Sequence, residues 1–441
     1  MAVNWLGLAP EAVARQLRDA GVRRAWIAWD EEAGEVRASH ATLEPIAAAL
    51  GAGALDYRRH EALFLAPAPN GDELFGVFIH SSLRGQAQGG LRHWPYPTLE
   101  EFLRDGLRLS LGMARKSALA GLWWGGGKGI IARSPGEIWR DRAHRHAVYQ
   151  DFARFVTSLR GCYVTAEDAG TGPLDMAEIA THTRFATCVP PEIGGSGNPS
   201  AMTALGVVEA MEAALDHCGM GSLADKSVAM QGAGHVGSSM LEQLFDKGVA
   251  SVVVSDLSAD RCESLRSFFE NRPIEVRVAL PGDDSILAER CDVLVPNALG
   301  GILSPKTIPQ IQAAIVCGAA NNQLENEVRD AAALHECGIL YVPDYLANRM
   351  GIVACCDEHA GSLPRDPAIL AHLDRTNAIS IYRATQRVLA RAAQRDESPA
   401  YSANHLADRA IPEPHPIHGN RAQRIIQSLL GTESRTGTGI G

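Results

Sequence analysis

Lys128 stands between Gly127 and Gly129 in the run GLWWGGGKGII, Gly121 to Ile131, just after Trp123 and Trp124. A second lysine, Lys116, lies upstream in LGMARKSALA, and the acids Glu167 and Asp168 close YVTAE-DAGTG at the end of an expected strand. Two lysines and a carboxylate in glycine-rich loops suggest proton transfer. One lysine would hold an anion and the other would act as acid or base. A lysine beside a second cation and partly desolvated loses basicity, so it can work as a base near neutral pH. Glycines admit a substrate close to the backbone. Either lysine alone reads as a solvated surface charge; their company gives them chemistry.

The segment SVAMQGAGHVGSSMLEQLFDKGVASVVVSD adds a partner for that chemistry. Gly232, Gly234 and Gly237 form G-x-G-x-x-G between a strand and a helix, and the next strand ends in Asp256. Glycine lets the backbone approach a pyrophosphate, the helix N-terminus supplies N–H donors, and Asp256 can accept from a ribose hydroxyl. A carboxylate there repels a 2′-phosphate, so NAD is favoured over NADP. Proton transfer beside a nicotinamide means hydride transfer as well.

Elements must position these groups. Pro10 to Ala20 predicts a helix, RAWIAW a strand, DEEAGE a turn and Leu43 to Leu50 another helix. ALFLAPAPNGDELFGVFIH reads as a hairpin turning at Asn70-Gly71, a pair that tolerates positive φ. At Ser196 a Gly/Asn/Pro punctuation gives way to a helix with Met202, Leu205, Val208, Met211 and Leu215 on one face. The domain boundary is placed there. Beyond it SVAMQ, SVVVSD, CDVLVP, AIVCGA and ILYVPD are continuous apolar strands mostly separated by helices, as a parallel sheet covered on both faces requires. The expected organisation is an extension of unknown role (1–60), a substrate-binding and oligomerisation domain (61–195), a dinucleotide-binding domain (196–394), helices at about 395–430 returning to the first domain, and a mobile tail (431–441).

Composition bounds the function. A chain of 441 residues with 46% hydrophobic content can bury more than one core. No apolar run approaches the ~20 residues that span a bilayer, and the N-terminus lacks a charged segment followed by an apolar one, so neither membrane nor export is expected. The nine scattered cysteines contain no C-x-x-C pair, which predicts reduced thiols in a cytoplasmic protein. A net charge of −10 without a basic cluster argues against nucleic acid. CCDEHAG places Asp357, Glu358 and His359 together, but no metal is expected.

In their order along the chain, GLWWGGGKG, YVTAEDAGT, GSGNPSAMTALGV, QGAGHVG, PNALGGILSPKTI, CGAANNQL and VPDYLANRMG resemble the glutamate/leucine/phenylalanine/valine dehydrogenases, most closely the leucine and phenylalanine branch. The similarity runs from about Phe64 to about Leu389. It implies an α/β enzyme of two domains, a dimerisation-type domain and a Rossmann domain, with the active site in the cleft between them. The matches imply that Lys116 pairs with the substrate α-carboxylate, Lys128 activates water, Asp168 shuttles a proton, and Asn348 steadies the carboxylate or the nicotinamide side. Gln88, Gly89, Gly90 and Met113 join the implied substrate pocket. Thr203, Ala298 and Asn321 fall in cofactor-lining segments, and His235, Val236 and Leu257 are assigned to NAD with the glycines and Asp256. A homo-oligomer, at least a dimer, is implied.

Departures bear on the substrate. Where the family usually reads Asn-Ala-Gly-Gly, this chain has Asn348-Arg349-Met350-Gly351, which could narrow the pocket, add a polar contact or spoil the site. Gln88 resembles the side-chain-selecting position, where glutamate enzymes carry lysine and leucine enzymes an apolar residue. Trp123 and Trp124 replace smaller residues and either pack in the core or stack on an aromatic substrate. The expected activity is NAD-dependent interconversion of an L-amino acid with its 2-oxo acid and ammonia. The alternatives are a non-catalytic sensor of the same fold and an imine-forming enzyme of secondary metabolism.

Overall fold

The computed structural model describes residues 5–298, 300–361, 363 and 365–433. Two sheets organise it. The first contains β1 (Ala25–Asp30), β2 (Glu35–Ala38), β3 (Ala62–Pro67), β4 (Leu74–Ser81), β5 (Ala87–Trp94), β6 (Gly125–Ala132) and β7 (Tyr163–Glu167), in the order β2-β1-β3-β4-β6-β5-β7. β5 runs parallel to both β6 and β7, and the other pairs are antiparallel. Every residue of β3 and β6 is buried because helices cover both faces. Phe64 and Ala66 of β3 point into a core with Phe152 and Phe155 of helix Arg142–Ser158. Leu63 and Leu65 point the other way, into a core with Phe102, Leu103 and Leu107 of helix Leu99–Ala120.

Residues 5–60 build part of this sheet and its core. β1 pairs with β3 through Trp26↔Phe64, and Val13, Leu17, Ile46 and Leu50 share a core with Leu63 and Phe102. Without β1, β3 would present an open, wholly apolar edge. The hairpin of β3 and β4 forms as expected, but its turn differs. Residues 68–73 connect the strands, Ala68 N donates to Glu73 O at 2.9 Å, and neither Asn70 nor Gly71 has positive φ.

The second sheet is wholly parallel: β8 (Ser227–Gln231), β9 (Ser251–Asp256), β10 (Ile274–Val278), β11 (Val293–Pro296), β12 (Ile315–Val316) and β13 (Leu340–Tyr341), in the order β10-β9-β8-β11-β12-β13. This is the doubly wound arrangement, whose strand order reverses between β8 and β11, and ligands bind at the carboxyl ends of the strands beside such a reversal. Val228 and Met230 face one core and Ala229 the other.

The C-terminal helices join the two sheets. Helix Ile381–Arg395 packs on helix Ser200–His217, and helix Pro399–Ala410 lies against Leu99–Ala120. Ile426 and Leu429 of the last helix, Arg421–Glu433, enter the core of the first sheet. Residues 431–433 of the expected tail complete that helix, and 434–441 lie outside the described residues.

Candidate active site

Lys116 is set by the helix Leu99–Ala120. Thr98 caps its start, its hydroxyl accepting from Glu101 N at 3.2 Å, and Gly121 ends it at φ +72°, the left-handed conformation glycine takes without strain. Lys128 sits on β6, so neither lysine is in a loop as the sequence suggested. The glycines serve strand packing instead. A Cβ at Gly89 of β5 would lie 1.8 Å from Gly127 O, and one at Gly126 would lie 2.2 Å from Ala114 N in the covering helix. Only glycines let these strands and the helix approach so closely, and the approach carries Lys128 into the interior, where it is 2% exposed.

These elements converge on a cavity of about 320 Å³ between the two sheets. Gln88, Gly89, Gly90, Met113, Lys116, Lys128, Asp168, Thr203, Val236, Asn321 and Asn348 all line it, so the structure gathers residues expected of the substrate and nicotinamide sites into one space. Lys128 Nζ is 2.9 Å from Asp168 Oδ2. Lys116 Nζ reaches Asn321 Oδ1 at 3.4 Å, and Asn348 Nδ2 donates to the same oxygen at 2.9 Å and to Ala319 O at 2.9 Å. With its amide donors committed, Asn348 offers the cavity its Oδ1, a buried acceptor without a partner among the described residues.

Charge in the cavity is strongly coupled. Burial pushes Lys116 down to about 8, opposed by Asp344 and helped by Lys128. Burial lowers Lys128 too, against the pull of Asp168. Asp168 would be raised by burial, but Lys128 and Arg92 hold it well below the usual carboxylate range. Glu167 is lifted to about 7 by burial and by Asp168 and Asp175. Its Oε1 accepts from Asn198 Nδ2 at 3.0 Å, in the segment leading to the second domain.

Sequence reasoning missed Arg92. Its guanidinium donates to Asp168 Oδ2 at 2.9 Å and to both oxygens of Asp105, at 3.1 and 2.9 Å, while Tyr96 OH donates to Asp105 at 2.6 Å. Arg92 lies on β5 two residues after Gly89-Gly90, a strand that the sequence did not announce, so no local signal marked it. Asp344, within VPDY, is the buried acid beneath Lys116 and was also missed.

Arg349 and Met350 do not line the cavity. Both are fully buried behind it, Met350 among core residues that include Val207 and Met211. Nor do the tryptophans line it. Trp124 packs against Ile352 and Cys356 and donates to Asp357 Oδ1 at 3.1 Å, whereas Trp123 stacks under Arg84 at 4.3 Å. Glu358 accepts from the backbone N–H groups of Cys188, Val189 and Ser196, so its oxygens serve the loop before the second domain.

The glycine turn expected to take a nucleotide lies at the carboxyl end of β8. Gly232 takes φ +91°, and a Cβ there would come within 2.9 Å of Ala298 Cβ; a Cβ on Gly237 would meet Gly232 O at 2.5 Å. Open space faces Gly234, ahead of His235 and Val236 at the start of helix His235–Asp246. A bare backbone backed by a helix N-terminus fits a pyrophosphate. Asp256 ends β9 as expected, with Leu257 exposed beside it. The Asp256 carboxylate already accepts from Ala233 N at 2.8 Å, Ser258 N at 2.9 Å and Arg261 Nη1 at 2.9 and 3.1 Å. Burial opposes but these donors lower its pKa, keeping it charged.

Comparison with known proteins agrees with this geometry. Residues 76–185 match the family model described as Glu/Leu/Phe/Val dehydrogenase, dimerisation domain, and residues 194–415 match Glutamate/Leucine/Phenylalanine/Valine dehydrogenase. The chain is 38% identical to leucine dehydrogenase of Geobacillus stearothermophilus over 337 residues, 76% of this chain and 86% of the relative. It is 39% identical to valine dehydrogenase of Streptomyces albus over 339 residues, 76% and 88% of the two chains. Among solved structures, L-tryptophan dehydrogenase from Nostoc punctiforme superposes with a TM-score of 0.61 at 30% identity, covering 83% of this chain and 97% of that one. With both domains matched in order and the two lysines and the aspartate lining one cavity, the chain belongs to the glutamate/leucine/phenylalanine/valine dehydrogenase family.

Proposed function

We propose that the protein is an NAD-dependent L-amino acid dehydrogenase, converting an amino acid, water and NAD⁺ to a 2-oxo acid, ammonium, NADH and a proton, reversibly. The observation that carries this reading is the buried Lys128–Asp168 pair at 2.9 Å in a cavity that Lys116 also lines. Lys116, as a cation, holds the α-carboxylate. The Gly232–Gly237 turn, with Thr203 and Val236, would hold NAD, which would supply the acceptor for the hydride of Cα. Asp168 takes a proton from the substrate ammonium, which leaves an imine once the hydride has gone. Neutral Lys128 then draws a proton from water as the oxygen adds to the imine carbon. Asp168 returns its proton to nitrogen, and the carbon–nitrogen bond breaks as Asp168 takes the hydroxyl proton to leave the 2-oxo acid. That proton departs with the ammonia as ammonium, and Lys128 releases its own proton to solvent. Losing the Lys128 proton removes a cation that holds Asp168 down, so the two groups titrate as a pair.

Gln88 sets the side-chain preference. Its Nε2 donates to Thr187 Oγ1 at 3.3 Å, and Thr187 gives its only hydroxyl proton to Thr165 O at 3.3 Å, so Thr187 must accept from Gln88. That orientation leaves Gln88 Oε1 as a buried acceptor without a partner among the described residues. A neutral side chain ending in an N–H or O–H donor, such as an indole, satisfies it; a carboxylate repels it. We assign the protein to such substrates ahead of glutamate or valine, and to a homo-oligomer formed through the first domain. Among the described residues no helix is long and apolar enough to cross a membrane. NADH formation followed across a panel of L-amino acids tests the reading. No turnover with any member would overturn it in favour of a sensor.

A further inference from the structure

Arg349 is the largest of the fully buried side chains, 0% exposed. Among the described residues no carboxylate pairs with it, and the charge that acts on it is another cation, Arg387. A buried, unpaired cation is costly unless polar groups replace its water. Two main-chain carbonyls do so here. Nη1 donates to Leu119 O and Nη2 to Ile379 O, each at 2.5 Å. Leu119 lies in the last turn of helix Leu99–Ala120, where carbonyls lack helical partners and the helix end carries negative partial charge. The charge of Arg349 is thus met by a helix C-terminus.

That helix carries Lys116 about one turn before Leu119. The residue preceding Arg349 is Asn348, whose Nδ2 donates to Asn321 Oδ1, the oxygen that Lys116 Nζ also approaches. The contacts close a ring: Lys116 to Leu119 along the helix, Leu119 to Arg349 by hydrogen bond, Arg349 to Asn348 along the chain, and Asn348 back to Lys116 through Asn321. We propose that Arg349 is a positioning residue, fastening the helix that bears Lys116 to the segment that bears Asn348 and so fixing the site for the substrate α-carboxylate. The role suits arginine because a planar fork reaches two divergent carbonyls, which a lysine ammonium on its single stem cannot match. The inference rests on the reading that Lys116 binds the carboxylate.

The test uses the full chain with Arg349→Met, Arg349→Lys and Lys116→Ala, measuring KM for the amino acid, KM for NAD, kcat and thermal midpoint. Arg349→Met should raise the amino acid KM on the order of tenfold, the cost of freeing a buried carbonyl and loosening Lys116, with KM for NAD nearly unchanged. Arg349→Lys should recover part of that loss. A lower melting temperature with unaltered amino acid KM in a folded Met variant would reduce Arg349 to a structural strut and overturn the inference. If the Met variant does not fold, Arg349→Lys decides alone: a raised amino acid KM supports the role, and an unchanged one refutes it. Should Lys116→Ala leave that KM unchanged, the carboxylate site is misread and the inference falls with it. A Lys116 effect without an Arg349 effect sinks this inference only.

Discussion

Lys128 Nζ and Arg92 Nε each lie 2.9 Å from one oxygen of Asp168, Oδ2, so a single carboxylate oxygen answers two buried cations. The arrangement keeps Asp168 ionised and holds Lys128 against it, ready for transfer in either direction. Lys128→Ala and Asp168→Asn should each leave NAD binding, read by fluorescence titration, close to native. Each should lower kcat on the order of 10² or more, since each removes a proton carrier used only in the transition state. A variant that keeps ordinary turnover would remove that residue from the mechanism.

Lys116 sets a limit at high pH. Burial brings it down to about 8, and only its cation binds a carboxylate. As pH rises through that value in the free enzyme the cation is lost, so kcat/KM for the amino acid should fall on the alkaline side. On the proposed mechanism an acid limb should arise from Lys128, which has to shed its proton to act on water. Lys116→Arg keeps the positive charge at all accessible pH values and should move the alkaline limb upward. An alkaline limb unmoved in that variant would assign it to another group.

Much of this was legible in the sequence, for physical reasons that differ by segment. SVAMQ and SVVVSD read as strands because both faces of β8 and β9 are covered and the apolar run is unbroken. β10, IEVRV, escaped because it is an edge strand with no buried residue, and its short polar pattern resembles a loop. β5 and β6 escaped because glycine has poor strand propensity; their extended form comes from close packing that no local signal announces. Lys116, Lys128 and Asp168 were singled out by type and company, and the fold brings all three to one cavity. Arg92 was not, since a lone arginine reads as solvated until the fold brings Asp105 and Asp168 to it.

Cofactor choice turns on Asp256 and Arg261. The carboxylate repels a 2′-phosphate, while Arg261 Nη1, 2.9 Å away, offsets part of that charge. NAD should be preferred. Asp256→Ser frees Arg261 to meet a 2′-phosphate, so the ratio of kcat/KM for NAD over NADP should fall on the order of tenfold or more. Adding Arg261→Ala should cancel the gain toward NADP. Native protein that favours NADP would mean that the end of β9 does not decide the cofactor.

Gln88 gives the sharpest test of substrate. Its amide is anchored through Thr187, and its free Oε1 is buried in the cavity wall, where a missing partner costs about 1 to 3 kcal/mol. A substrate side chain that donates to Oε1 recovers that energy; leucine and valine leave the acceptor bare, and glutamate brings an anion against it. Ranking a panel by kcat/KM should therefore place donor-ended neutral side chains above leucine and valine by about tenfold, with glutamate lowest. Gln88→Leu removes the polar atom and should invert the order toward leucine. Gln88→Lys exchanges the acceptor for a cation and should lift glutamate. If neither exchange reorders the panel, Gln88 does not face the substrate side chain, and Met113 and Ile352, which line the same cavity, become the residues that select it.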